Sequence, residues 1–122
     1  MSQPDTLRQI MHDKRLARLG DAYINFVYSL ALTKIKGSPQ GTKVSDRTLA
    51  DALRQAGMRD LLGTRVTKSD LANASESILG EAYLRKLLTI EESVQAICQS
   101  PESLTSGLSE LIKLASDKLR TS

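Results

Sequence analysis

A chain of 122 residues with a formal net charge of +3 has room for one hydrophobic core, and 40% apolar with 25% charged residues is ordinary soluble composition. One cysteine, Cys98, excludes an internal disulfide, and with a single histidine, His12, it excludes a zinc site of the usual cysteine and histidine type within one chain. The longest apolar run, 22–32, is interrupted by Asn25 and Ser29 and is too short to span a bilayer.

Without a leader-like start or a membrane span, a cytoplasmic protein with no membrane partner is expected. The mild positive charge is compatible with a polyanionic partner without demanding one. Aromatic residues are only 3% and tryptophan is absent, so the core should be aliphatic.

Helical spacing runs through almost the whole chain. Ser2-Gln3-Pro4-Asp5 offers a cap and an early proline before Leu7, Ile10 and Met11, which predicts a helix starting at residue 4 or 5. The apolar set changes face at His12-Asp13, so a break is expected there. Leu16, Leu19, Tyr23, Phe26, Val27, Leu30 and Ala31 then take over, and residues 14–35 should form the central helix, apolar on nearly every face from Ala22 to Leu32. Gly37-Ser38-Pro39-Gln40-Gly41 stops it and predicts a loop over 37–45.

A helix capped by Ser45 follows, with Leu49, Leu53 and Ala56 at helical spacing and Gly57 at its end. Leu61-Leu62-Gly63 reads as a short helical turn, and Ser69 is placed to cap a second long helix carrying Leu71, Ile78, Leu79, Ala82, Tyr83 and Leu84. Thr89-Ile90-Glu91-Glu92 has capping-box form ahead of Val94 and Ile97. Ser100-Pro101-Glu102 offers one more cap, with proline at the first helical position, before the stripe of Leu104, Leu108, Leu111, Ile112, Ala115 and Leu119. No stretch alternates long enough for a strand. The fold class is all-α, and residues 1–122 read as a single domain.

Nucleotide-binding glycine loops and nucleophile elbows are absent, which leaves carboxylates as the chemistry. Asp21 sits mid-helix in apolar company, and burying an unpaired charge is costly, so it needs a cation, an arginine or a helix terminus as partner. A polar stripe with Arg18 and Asn25, at i−3 and i+4, is the plainer alternative. Asp70, Asn73 and Glu76 follow at i, i+3 and i+6 on the later helix, and oxygen donors from two helices suit a hard cation such as Mg2+. For that helix too, a solvated polar face is the alternative.

At these residues the sequence resembles a known family. Leu16-Ala17-Arg18-Leu19-Gly20-Asp21-Ala22 is similar to the signature helix of the ribonuclease III endonuclease domain, usually E-R-L-E-F-L-G-D-A. Leu71-Ala72-Asn73-Ala74-Ser75-Glu76-Ser77-Ile78-Leu79-Gly80-Glu81-Ala82-Tyr83-Leu84 resembles its second motif, and Val44-Ser45-Asp46-Arg47-Thr48-Leu49-Ala50 its V-S-N-x-T-L-A segment. The resemblance covers about residues 14–98. By pattern it comes closest to the Mini-III branch, which has no double-stranded RNA-binding domain and also carries alanine at the position of Ala17.

The resemblance implies a ribonuclease III-like helical fold and a metal-dependent endoribonuclease acting on structured or double-stranded RNA, with stable-RNA processing as a candidate role and 5′-phosphate and 3′-hydroxyl products. It implies Asp21 and Glu76 as the catalytic, metal-binding pair, with Asn73 as a neutral oxygen ligand, and Mg2+ as the cofactor with Mn2+ as the alternative. Lys14, Ala17 and Asn73 stand where most members carry acids. A homodimer is implied as well, with Gly20, Tyr23, Phe26, Val27 and Leu30 as candidates for its two-fold contact or, equally, for the core of the chain. Lys43, Arg47, Arg65 and Lys68 are candidate phosphate contacts, or solvated surface residues. With three acids missing, a catalytically inactive RNA-binding or assembly protein of the same fold is the competing reading. An all-α dimerisation module unrelated to RNA is a third.

Overall fold

A computed structural model describes residues 4–122, in which six α-helices and one short 3-10 turn make up the regular structure and no strand occurs among the described residues. The helices are α1 Pro4–Met11, α2 Lys14–Lys36, α3 Asp46–Gln55, α4 Lys68–Leu84, α5 Ile90–Cys98 and α6 Leu104–Thr121, with the turn at Arg59–Leu62. The all-α expectation holds. The cap expected from Ser2 lies outside the described residues.

The break between α1 and α2 has a local cause. Asp13 accepts hydrogen bonds from the amides of Arg15, at 2.9 Å, and Leu16, at 3.2 Å, satisfying two of the donors a new helix leaves free. At the other end Gly37 takes a left-handed φ of 73°, a conformation that favours glycine, and closes α2 onto Thr33. Ser45 caps α3 and Thr89 caps α5 as expected.

Two caps differ from the expectation. Thr67, not Ser69, caps α4, because Asp70 at the third helical position reaches back to the Thr67 amide and completes a capping box. Ser103, not Ser100, caps α6, leaving Pro101 outside the helix.

The hub is α4 rather than α2. It packs against α1, α2, α3 and α6, and every residue from Ala74 to Gly80 is buried. Ala72, Ala74, Ser75, Ser77 and Gly80 carry little side chain, so neighbouring helices come close on all sides. The buried hydroxyls are satisfied: Ser75 donates to the Leu49 carbonyl at 3.2 Å and Ser77 to that of Asp13 at 2.8 Å. Around them the core is aliphatic, with Leu49, Leu53, Leu71, Ile78, Leu79, Leu108, Leu111 and Ile112 fully buried.

Candidate active site

Helices α2 and α4 cross at two glycines. A Cβ at Gly20 would overlap the Glu76 carbonyl, and one at Gly80 would lie 2.7 Å from the Leu16 carbonyl oxygen, so the two backbones meet where side chains would hold them apart. Asp21 follows Gly20 directly, and Glu76 faces it from α4. The two carboxyl groups lie within hydrogen-bonding reach of each other.

Glu76 is only 6% exposed, whereas Asp21 is half-buried. Burial pushes the Glu76 carboxyl up to about 8, helped by its hydrogen bond to Asp21 and the charges of Asp21 and Asp46, with Lys43 pulling the other way. Asp21 is held by the Asn25 side-chain amide, whose Nδ2 donates to its Oδ1 at 3.1 Å. The polar-stripe alternative for Asp21 is thus seen in its bond with Asn25, and the second group beside it is an acid, Glu76.

Lys14, Ala17, Arg18, Asp21, Lys43, Asp46, Asn73 and Glu76 line one cleft at this crossing. Of the expected site residues, Asp21, Asn73, Glu76 and Lys43 are together here. Asp70 is not: it is exposed, its carboxyl is held below the usual range by hydrogen bonds from the backbone and side chain of Thr67, and it lines a neighbouring cleft with His12. Asp46 and Arg18 line the acid cleft without having been singled out for it. Asp46 is the first residue of α3, and only the tertiary fold brings it near Glu76.

Arg47, Arg65 and Lys68 are exposed and do not line the cleft. Ser69 donates to Asp46 Oδ2 at 3.4 Å, which joins the start of α4 to the start of α3. Arg65 stands in the connection before α4 with a φ of 57°. Of the two-fold candidates, Gly20, Tyr23 and Val27 pack inside the chain, Leu30 is half-buried, and Phe26 is 54% exposed.

Among the described residues, no group of three or more histidine, cysteine, aspartate or glutamate side chains is gathered closely enough to hold a metal ion. No helix among them is long and apolar enough to cross a membrane.

Comparison with known proteins agrees with the geometry. The sequence profile described as Ribonuclease III matches residues 14–119, from the first residue of α2 to the last turn of α6. No curated protein matched the chain. A profile match over most of the chain, with its acids meeting at one helix crossing, leaves no room for accidental motif similarity: the chain belongs to the ribonuclease III family, whose members point to an RNA-cleaving or RNA-binding role.

Proposed function

We propose that the protein is a homodimeric, divalent-cation-dependent endoribonuclease that hydrolyses phosphodiester bonds in double-stranded or structured RNA. The observation that carries this reading is the contact between Asp21 and Glu76, two carboxyl groups from different helices at the floor of a cleft edged by Lys14, Arg18 and Lys43.

The donor set suits the cation. Mg2+ needs only one or two carboxylates from a protein when waters and substrate phosphates complete its shell, and Asn73 adds a neutral oxygen in the same cleft. Asp21, Glu76 and Asn73 are therefore the residues that would hold it; when bound, it would polarise a phosphoryl oxygen and make water a competent nucleophile at neutral pH. Burial fixes the Glu76 rotamer, and Asn25 fixes one oxygen of Asp21, so the pair is oriented before substrate arrives. Lys14, Arg18 and Lys43 are placed to meet backbone phosphates through charge-assisted hydrogen bonds, which read duplex shape rather than base sequence.

The outer face of α2 supports the dimer. Leu19, Ala22 and Phe26 are exposed at i, i+3 and i+7 and continue into half-buried Leu30, while Tyr83 and Leu84 of α4 are also exposed.

A second reading, an RNA-binding or assembly protein without catalysis, is favoured by one observation: the cleft carries three cations of its own, Lys14, Arg18 and Lys43, which can offset the charge of its acids and meet RNA phosphates. Incubation with structured RNA and Mg2+ separates the two. Cleavage that falls roughly 10²-fold or more in both Asp21→Asn and Glu76→Gln is expected. Undiminished cleavage in both variants would sink the assignment of the acids, and tight RNA binding without cleavage by the unaltered protein would establish the second reading.

A further inference from the structure

The segment after α2 is fastened to that helix by a regular ladder of side chains. Thr33 Oγ1 accepts the Gln40 amide at 2.9 Å, Ser29 Oγ accepts the Thr42 amide at 3.0 Å and donates to the Thr42 carbonyl at 3.0 Å, and Asn25 Oδ1 accepts the Val44 amide at 2.8 Å. Each step back along α2 is four residues and each step forward along the segment is two. Four helical residues rise about 6 Å, and two extended residues span about 6.6 Å, so the two runs stay in register. Continued once more, the register sets Asp21 opposite Asp46, and both line the acid cleft.

Asn25 is the rung at which the ladder meets the acids. Its Oδ1 is committed to the Val44 amide, which turns its Nδ2 toward Asp21 and defines which end of the amide donates. Asp21 Oδ1 is thereby taken by a neutral donor, leaving its second oxygen for other partners. Val44 is flanked by Lys43, a lining residue of the cleft, so the same side chain sets the acid and the wall beside it.

We infer that Asn25 is a positioning residue: it orients Asp21 for cation binding and locks the 40–46 segment, with Lys43 and Asp46, at the edge of the cleft. This rests on the endoribonuclease reading above. Ser29 separates the two roles, because it fastens the same segment but does not touch Asp21. Asn25→Ala and Ser29→Ala are compared with the unaltered protein by amide exchange, by Mn2+ binding to the RNA-free protein followed by electron paramagnetic resonance, and by kcat and KM on duplex RNA.

Faster exchange within 42–44 is expected in both variants. Only Asn25→Ala should weaken Mn2+ binding, about 10-fold or more, and lower kcat by a similar factor with KM within about 2-fold. Wild-type Mn2+ affinity in Asn25→Ala, or an equal loss in Ser29→Ala, would overturn the inference. Absence of Mn2+ binding by the unaltered protein would instead overturn the functional reading, and the role of Asn25 with it.

Discussion

Gly20 rests on the main chain of Glu76, with α2 and α4 in backbone contact at that point. The glycine thus belongs to the site as much as to the core. Asp21 is one residue away on α2, so the depth of the helix crossing sets the distance between the two carboxyl groups.

Replacing Gly20 by alanine should therefore damage structure and site together. The obstacle is backbone, which cannot swing aside as the tip of a flexible side chain could. A cost near the upper end of the overpacking range, about 3 kcal/mol, is expected in urea titrations. Cleavage measured under conditions where the variant is still folded should also fall, since the acids are pushed apart. A stability within about 0.5 kcal/mol of the unaltered protein would contradict the close approach.

Glu76 makes stability depend on pH in a direction unusual for an acid. Its carboxyl titrates near 4.5 when exposed and near 8 in the folded chain, so between those values the folded state holds a proton that the unfolded state has released. The stabilisation linked to that proton is complete below about pH 4.5 and is lost as pH rises through about 8. In metal-free buffer, the unaltered protein should lose stability relative to Glu76→Gln across this window, reaching a deficit of several degrees in Tm at the alkaline end. Adding Mg2+ at pH 8 should recover part of the deficit in the unaltered protein alone. Parallel curves for the two proteins would show that Glu76 is ionised throughout.

How far the sequence reached is clearest at particular residues. Asp21, Asn73 and Glu76 were legible as a candidate group through the segments that resemble the family's motifs, whereas spacing alone offered Asp70 on the same terms. Asp46 was not, because an acid at the start of a capped helix looks like an ordinary favourable charge at a helix N-terminus. Asp70 stays out of the cleft for a geometric reason. Six residues along a helix turn about 600°, so Asp70 stands about 120° around the axis from Glu76, and its carboxyl completes the Thr67 cap instead. Hydropathy points to α2 as the central helix because it registers large apolar side chains; α4 takes the central place with alanine, serine and glycine, whose contribution is closeness.

Asp46 also has a measurable effect on Glu76. Its charge helps push the Glu76 carboxyl up, so Asp46→Asn should lower that titration point and move the fall in stability to lower pH. Asp51→Asn is the matched control, since it removes the same charge from α3 but pairs with Arg54, at 3.0 Å, outside the cleft. Equal shifts in the two variants would mean that net charge, not position in the cleft, governs Glu76.

The proposed dimer is open to a test that leaves the core of the chain intact. Phe26 is 54% exposed, so Phe26→Asp costs little packing within one chain. A large apolar side chain contributes about 1.5–3 kcal/mol on burial, and a two-fold contact uses each residue twice. The substitution should therefore weaken association by about 10²-fold or more, while Val27→Ala, in a fully buried position, should lower stability without being selective for association. Sedimentation equilibrium reads both. The unaltered protein should sediment as a dimer and Phe26→Asp as a monomer with native helical content; an unaltered protein that is monomeric at high concentration, or a Phe26→Asp dimer of unchanged affinity, would remove this face of α2 from the interface.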